Sequence, residues 1–172
     1  MQRTKWLTFL LIVSFILLLD QISKTWVLQN MAVGETILLI PQLHPYFQLT
    51  YSQNTGAAFG IFPAAGGALL AVAVVVSCVV VWFFIQSEAR AHLQHAGMAL
   101  VVGGALGNVI DRLQHGFVVD FVHLSLPGVI SNVSNFADHA IVLGVLLLLL
   151  DSWRRDRAAR AAPPAQQNPA AD

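Results

Sequence analysis

Charge is what this sequence has least of. Only 10% of its 172 residues are Asp, Glu, Lys or Arg, whereas an ordinary soluble domain carries about 25%. With 56% hydrophobic residues, the chain is suited to lipid rather than water. The formal net charge is zero, and a nucleic-acid surface needs a clustered basic patch, so nucleic acid is not an expected partner. Cysteine is nearly absent: Cys78 stands alone, which excludes an intramolecular disulfide and a thiolate metal site. It is expected to be a small buried hydrophobe. Neither HExxH nor CxxC occurs, so the usual zinc patterns are missing. The six histidines are scattered, with His92 and His95 expected in a loop.

Long apolar runs, by contrast, are abundant. A helix needs about 20 apolar residues to cross about 30 Å of hydrocarbon, and four segments qualify: about 6–28, 64–86, 96–114 and 136–153. Trp6 and Trp26 near the ends of the first fit interfacial aromatics. Arg3 and Lys5 precede that run as in a signal peptide, but no small-x-small cleavage site follows, so a retained helix is expected. Seven of the nine basic residues lie at the N-terminus, in the short second loop or after the fourth span: Arg3, Lys5, Arg90, Arg154, Arg155, Arg157 and Arg160. The positive-inside rule then puts both termini in the cytoplasm and the loops at about 29–63 and 115–135 outside. "RRDRAAR" at 154–160 reads as a stop-transfer anchor. Residues 1–160 form a single membrane domain on this reading, and 161–172 a disordered cytoplasmic tail.

The first outer loop carries strand signals. "ETILLI" and "YFQLTYSQN" are rich in β-branched and aromatic residues, with Pro41 and Pro45 between them, and predict two short strands on the membrane surface. "HGFVVDFVHL" at 115–124 offers a third. The expected fold class is an all-α integral membrane protein: four transmembrane helices with a small outward-facing β-sheet on the membrane surface. In span three Gly103 and Gly107 form a small-xxx-small pair suited to close helix contact.

That orientation gathers the polar residues at one depth, near the outer interface. Asp20 and Lys24 lie toward the outer end of span one. Asn108, Asp111 and Arg112 end span three, Asp120 follows, and Asn135 and Asp138 open span four. Ionisable residues inside a membrane are functional candidates. Asp20 and Lys24 have the favourable i,i+4 order of a structural pair. Asp111 suits pairing with another span, and Asn135 and Asp138 match an N-cap and an acidic N3 residue. Arg112 has two uses, snorkelling to headgroups or facing a substrate. Asp120 sits in "FVVDF" with no adjacent base, so its carboxylate needs a partner, a proton or a solvated cavity. The turn between spans three and four is able to bring it to Asp138. Two such carboxylates share a proton and titrate as a pair, one activating water and the other polarising a carbonyl.

Taken in order, "DQISK" at 20–24, "NTGAAFG" at 54–60, "GGALGNVIDR" at 103–112, "VVDF" at 118–121 and "NFAD" at 135–138 resemble the motifs of the lipoprotein signal peptidase (signal peptidase II) family. The resemblance implies a bacterial membrane aspartyl endopeptidase. Such an enzyme removes the signal peptide of a prolipoprotein on the amino side of a diacylglyceryl-modified cysteine. It implies Asp120 and Asp138 as the catalytic dyad, and Asn54, Gly56, Asn108, Arg112 and Asn135 as the substrate site. Asp20, Lys24 and Asp111 would support them. No metal or organic cofactor is implied. The partners would be the lipid-modified prolipoprotein and membrane lipids, the protein a monomer, and the location the bacterial cytoplasmic (inner) membrane with the active site near its outer face. One departure is Ser134, where the family often has an aromatic residue; packing beside span four or the shape of the groove is expected to differ. His139 is expected to face outward at the interface. The competing reading is a non-enzymatic proton or ion pathway, but a pathway would spread polar groups through the membrane depth.

Overall fold

A computed structural model describes residues 2–56 and 66–161. Four helices are long and apolar enough to cross a membrane: α1 (Gln2–Asn30), α2 (Gly66–Gln86), α3 (His92–His115) and α4 (Phe136–Ala161). They are joined by one antiparallel sheet in the order β1 (Thr36–Ile37), β2 (Phe47–Asn54), β3 (Val118–Leu126), β4 (Ile130–Ser134). The latter part of the "NTGAAFG" motif, the start of the expected second span and the tail beyond 161 fall outside the described residues.

The helix faces follow from side-chain spacing. Along α1 the buried residues are Lys5, Phe9, Val13, Ile16, Asp20, Lys24 and Val27, steps of three or four that make one stripe down a helix. Most of the rest of α1, including Trp6, Leu11, Phe15 and Ile22, is exposed, as suits a surface solvated by lipid. α3 is the central helix, packed against each of the other three, and its glycines make the approach possible. A Cβ on Gly104 would run into the Ala137 carbonyl of α4, and one on Gly103 would meet Ile16 of α1 at 3.1 Å. Gly116 then ends α3 with φ +80° while its N–H donates to the Arg112 carbonyl at 3.1 Å. The chain thereby turns back into β3.

The sheet differs from the sequence expectation at both edges. "ETILLI" yields only Thr36–Ile37 as strand, because a 3-10 turn begins at Pro41 and leaves Leu38, Leu39 and Ile40 exposed. β4 was not expected. Its residues "ISNVS" pair with the free edge of β3, from Val122↔Ser134 to Leu126↔Ile130, and a ready hydrogen-bonding edge outweighs their turn-like composition. β2 and β3 pair across a bulge between Leu49 and Ser52, which brings Asp120 opposite Ser52 and Val118 opposite Asn54.

Two further expectations are corrected at the other end of the bundle and on α2. His92 and His95 lie in the first turn of α3 rather than a loop. His95 is buried and shares a hydrogen bond with the Ser87 hydroxyl at 3.0 Å. Beside it, buried Lys5 donates to the carbonyls of Ser87 at 2.8 Å and Ile85 at 3.2 Å, closing the C-terminal end of α2, where orphan carbonyls need donors. Cys78 is exposed rather than buried, since α2 contributes chiefly Ser77 and Phe84 to the interior.

Candidate active site

The polar residues converge where α1, α3, β3 and α4 meet. Lys24, 2% exposed, is the centre of charge. Its ammonium lies 2.8 Å from Asp20 Oδ2 and 2.9 Å from Asp111 Oδ2, so the i,i+4 pair is formed and Asp111 pairs across helices. The leftover acceptor capacity is used for backbone. Asp20 Oδ1 accepts the Ala137 N–H at the start of α4 at 3.0 Å, and Asp111 Oδ2 accepts the Val119 N–H of β3 at 3.0 Å. Gln21, which the sequence did not single out, donates to Asp111 Oδ1 at 3.0 Å and to the Gly107 carbonyl at 3.3 Å. Its place inside "DQISK" was the available signal.

Two asparagines carry this order to Asp120 and Asp138. An ammonium only donates, so the Lys24 contact at 3.0 Å fixes Asn108 Oδ1 as acceptor and turns Nδ2 toward Asp138 Oδ1, at 2.7 Å. The backbone N–H of Asp138 likewise fixes Asn135 Oδ1 at 2.9 Å, the expected N-cap bond, and turns Nδ2 toward Asp120 Oδ1, at 2.6 Å. Asn54 donates to the other oxygen, Asp120 Oδ2, at 2.9 Å. Each aspartate therefore receives an amide whose orientation is set by an obligate donor or by the strand pairing of β2 and β3. Both amides thus donate to the aspartates, and Asn108 does so with one of its two Nδ2 hydrogens.

The two aspartates differ in setting. Asp120 is 2% exposed, and burial, followed by the negative charge of Asp138, pushes its carboxyl up to about 7 against the hydrogen bonds from Asn54 and Asn135. Asp138 is half-buried and borders a cleft of about 370 Å³ with Asn54, Ser134, His139, Ile141 and Val142. His139 is exposed on that cleft, 3.5 Å from the Ser134 hydroxyl, and Ser134 also donates to the Val122 carbonyl at 3.3 Å. Arg112 donates to the Asn108 carbonyl and to the Gly56 carbonyl, both at 3.3 Å, while Gly56 N–H donates to Asn54 Oδ1 at 3.0 Å. Arg112 Nε is buried without a partner among the described residues. Arg112 and Asn108 also border a second cleft, of about 240 Å³, against Val72 and Val76 of α2. Among the described residues no three His, Cys, Asp or Glu side chains are grouped to hold a metal ion. The arrangement suits acid–base chemistry by a carboxyl pair at the edge of a membrane bundle.

The chain is 39% identical over 158 residues to the lipoprotein signal peptidase of Actinobacillus succinogenes, covering 90% of this chain and 94% of that one. It is 42% identical over 146 residues to the lipoprotein signal peptidase of Shewanella halifaxensis, covering 83% and 84%. A bacterial membrane enzyme solved by the in meso method at 2.3 Å resolution superposes with a TM-score of 0.81 at 28% identity, covering 92% of this chain and 94% of that one. A second, at 1.9 Å resolution, gives 0.74 at 30% identity, covering 83% and 90%. The family model for signal peptidase (SPase) II matches residues 12–154; with four helices long and apolar enough to cross a membrane, the chain belongs to the signal peptidase II family.

Proposed function

We propose that this protein is an intramembrane aspartyl endopeptidase that removes the signal peptide from diacylglyceryl-modified prolipoproteins, cutting before the lipidated cysteine with Asp120 and Asp138 as the dyad. The observation that carries the reading is the convergence of Asp120 and Asp138 on one amide network, through Asn135 and Asn108. The raised carboxyl of Asp120 supports it as the protonated partner, hydrogen-bonding to the scissile carbonyl oxygen. Asp138, with Oδ1 held by Asn108 and its edge on the cleft, takes a proton from water. That water attacks the carbonyl carbon. Collapse of the tetrahedral species breaks the C–N bond, and the proton on Asp138 passes to the leaving amine of the cysteine. Asn54, Asn108 and Asn135 hold the aspartates, Lys24 with Asp20 and Asp111 hold the asparagines, and Arg112 with Gly56 faces the peptide.

Residues 1–160 act as one monomeric membrane domain. By the positive-inside rule it lies in the cytoplasmic (inner) membrane of a bacterium, with both termini inside and the sheet on the outer surface. The exposed Leu38, Leu39, Ile40 and Leu124 support a sheet whose rim meets lipid. The decisive experiment is cleavage of a lipid-modified prolipoprotein by Asp120→Asn and Asp138→Asn. Each should abolish product while the variant still inserts and elutes like wild type, and a chelator should leave wild-type cleavage intact. Wild-type-like cleavage by either variant sinks the dyad.

A further inference from the structure

Between α1 and the sheet lies a cavity of about 460 Å³ that shares no wall residue with the clefts beside Asp138 and Arg112. Leu19, Ile22 and Trp26 of α1 form one wall, and Leu49, Phe121 and Val122 of the sheet form the other. Its volume is in the range of ligand pockets, about 300–1,000 Å³. Among the described residues Ser23 is the one hydroxyl-, amide- or charge-bearing side chain in the lining, and its O–H already donates to the Asp20 carbonyl at 2.8 Å. A peptide or a headgroup placed there would lose hydrogen bonds without replacement, and water would lack its two to four polar partners. The rim is continuous with the lipid-facing side of a membrane-spanning helix, where Ile22 is 66% and Trp26 45% exposed.

We propose that this cavity is a lipid site that takes one acyl chain of a resident membrane phospholipid from the leaflet on the sheet side. The occupant is a bilayer lipid rather than the substrate's own acyl chain, because the cavity shares no lining residue with the cleft at Asp138. The chain completes the packing between α1 and the strand that carries Asp120, so the bilayer itself becomes part of the frame of the site.

The test uses the full protein in nanodiscs of phosphatidylethanolamine doped with phosphatidylethanolamine bearing a mid-chain diazirine. After irradiation, crosslinks should map to Leu49 and Val122 of the sheet as well as to exposed α1 residues such as Leu11 and Phe15. Ser23→Phe fills the cavity and should reduce the sheet crosslinks at least fivefold while those to Leu11 and Phe15 persist. Ile22→Trp, which enlarges a partly exposed wall residue at the mouth of the cavity, should do the same if Ser23→Phe folds poorly. Crosslinks confined to the exposed face of α1, or sheet crosslinks indifferent to both substitutions, overturn the proposal. So does labelling of Leu49 and Val122 by a prolipoprotein carrying the diazirine in its own acyl chain, in competition with the phospholipid.

Discussion

Lys24 does more than neutralise two carboxylates. Because an ammonium has no acceptor, it dictates which way Asn108 faces and hence that Asp138 receives a donor. Lys24→Met would leave Asp20 and Asp111 buried without their cation, and breaking a buried pair from one side costs about 3–5 kcal/mol. A large drop in thermal midpoint together with loss of cleavage is expected. Lys24→Arg should restore little of either, since a planar fork does not replace a compact point charge with three donors. Full rescue by arginine would argue against this role. Asp120 gives a second prediction. Its carboxyl is raised, so the folded state binds the proton more tightly than the unfolded chain, and stability falls as pH rises from the ordinary carboxylate range through about 7. Asp120→Asn removes that titration and carries only a constant penalty from its changed hydrogen bonding. The thermal midpoint of the variant relative to wild type should therefore improve between pH 5 and pH 8; a gap independent of pH would contradict the raised carboxyl.

At the scale of elements, the site depends on how closely α3 approaches α4. Gly104→Ala places a methyl group against the Ala137 backbone, one residue before Asp138, where nothing flexible can yield. The alanine gains about 1 kcal/mol of helix propensity, but overpacking costs about 1–3 kcal/mol and shifts Asp138 from Asn108. Cleavage should fall at least tenfold. Gly67→Ala, which meets nothing within 4 Å among the described residues, should leave activity unchanged, and equal behaviour of the two would refute the packing argument. The same elements mark how far the sequence could be read. Apolar length alone was enough for four helices, and charge at one depth was enough to pick out Asp20, Lys24, Asp111, Asp120 and Asp138. β4 could not be read, because "ISNVS" is a strand only by virtue of the edge of β3 beside it. Cys78 went the other way because hydropathy does not tell which side of a helix faces lipid and which faces protein, and His95 because apolar length alone does not mark where α3 begins. The pairings Lys24–Asp111 and Asn54–Asp120 span 87 and 66 residues, a separation no local pattern encodes.

For the whole molecule the question is which way it stands in the membrane, because the proposed cleavage of exported lipoproteins needs Asp120 and Asp138 on the outer side. The hairpin between β3 and β4 is at the sheet's far tip, with Val129 73% exposed, and the basic end of α4 carries Ala159, also exposed. The hairpin leads through β4 into the start of α4 and Ala159 lies near its other end, on a helix that runs from Phe136 to Ala161, about 39 Å at 1.5 Å per residue. Cys78 is the sole cysteine, so Cys78→Ser gives a thiol-free background. In it Val129→Cys should react with a membrane-impermeant maleimide on spheroplasts, whereas Ala159→Cys should react only after permeabilisation. Neither position touches the carboxyl network, so cleavage should persist in both and certify the fold being labelled. The reverse labelling pattern would turn the bundle over. It would leave the aspartates facing the cytoplasm and remove the basis for a substrate presented at the outer surface.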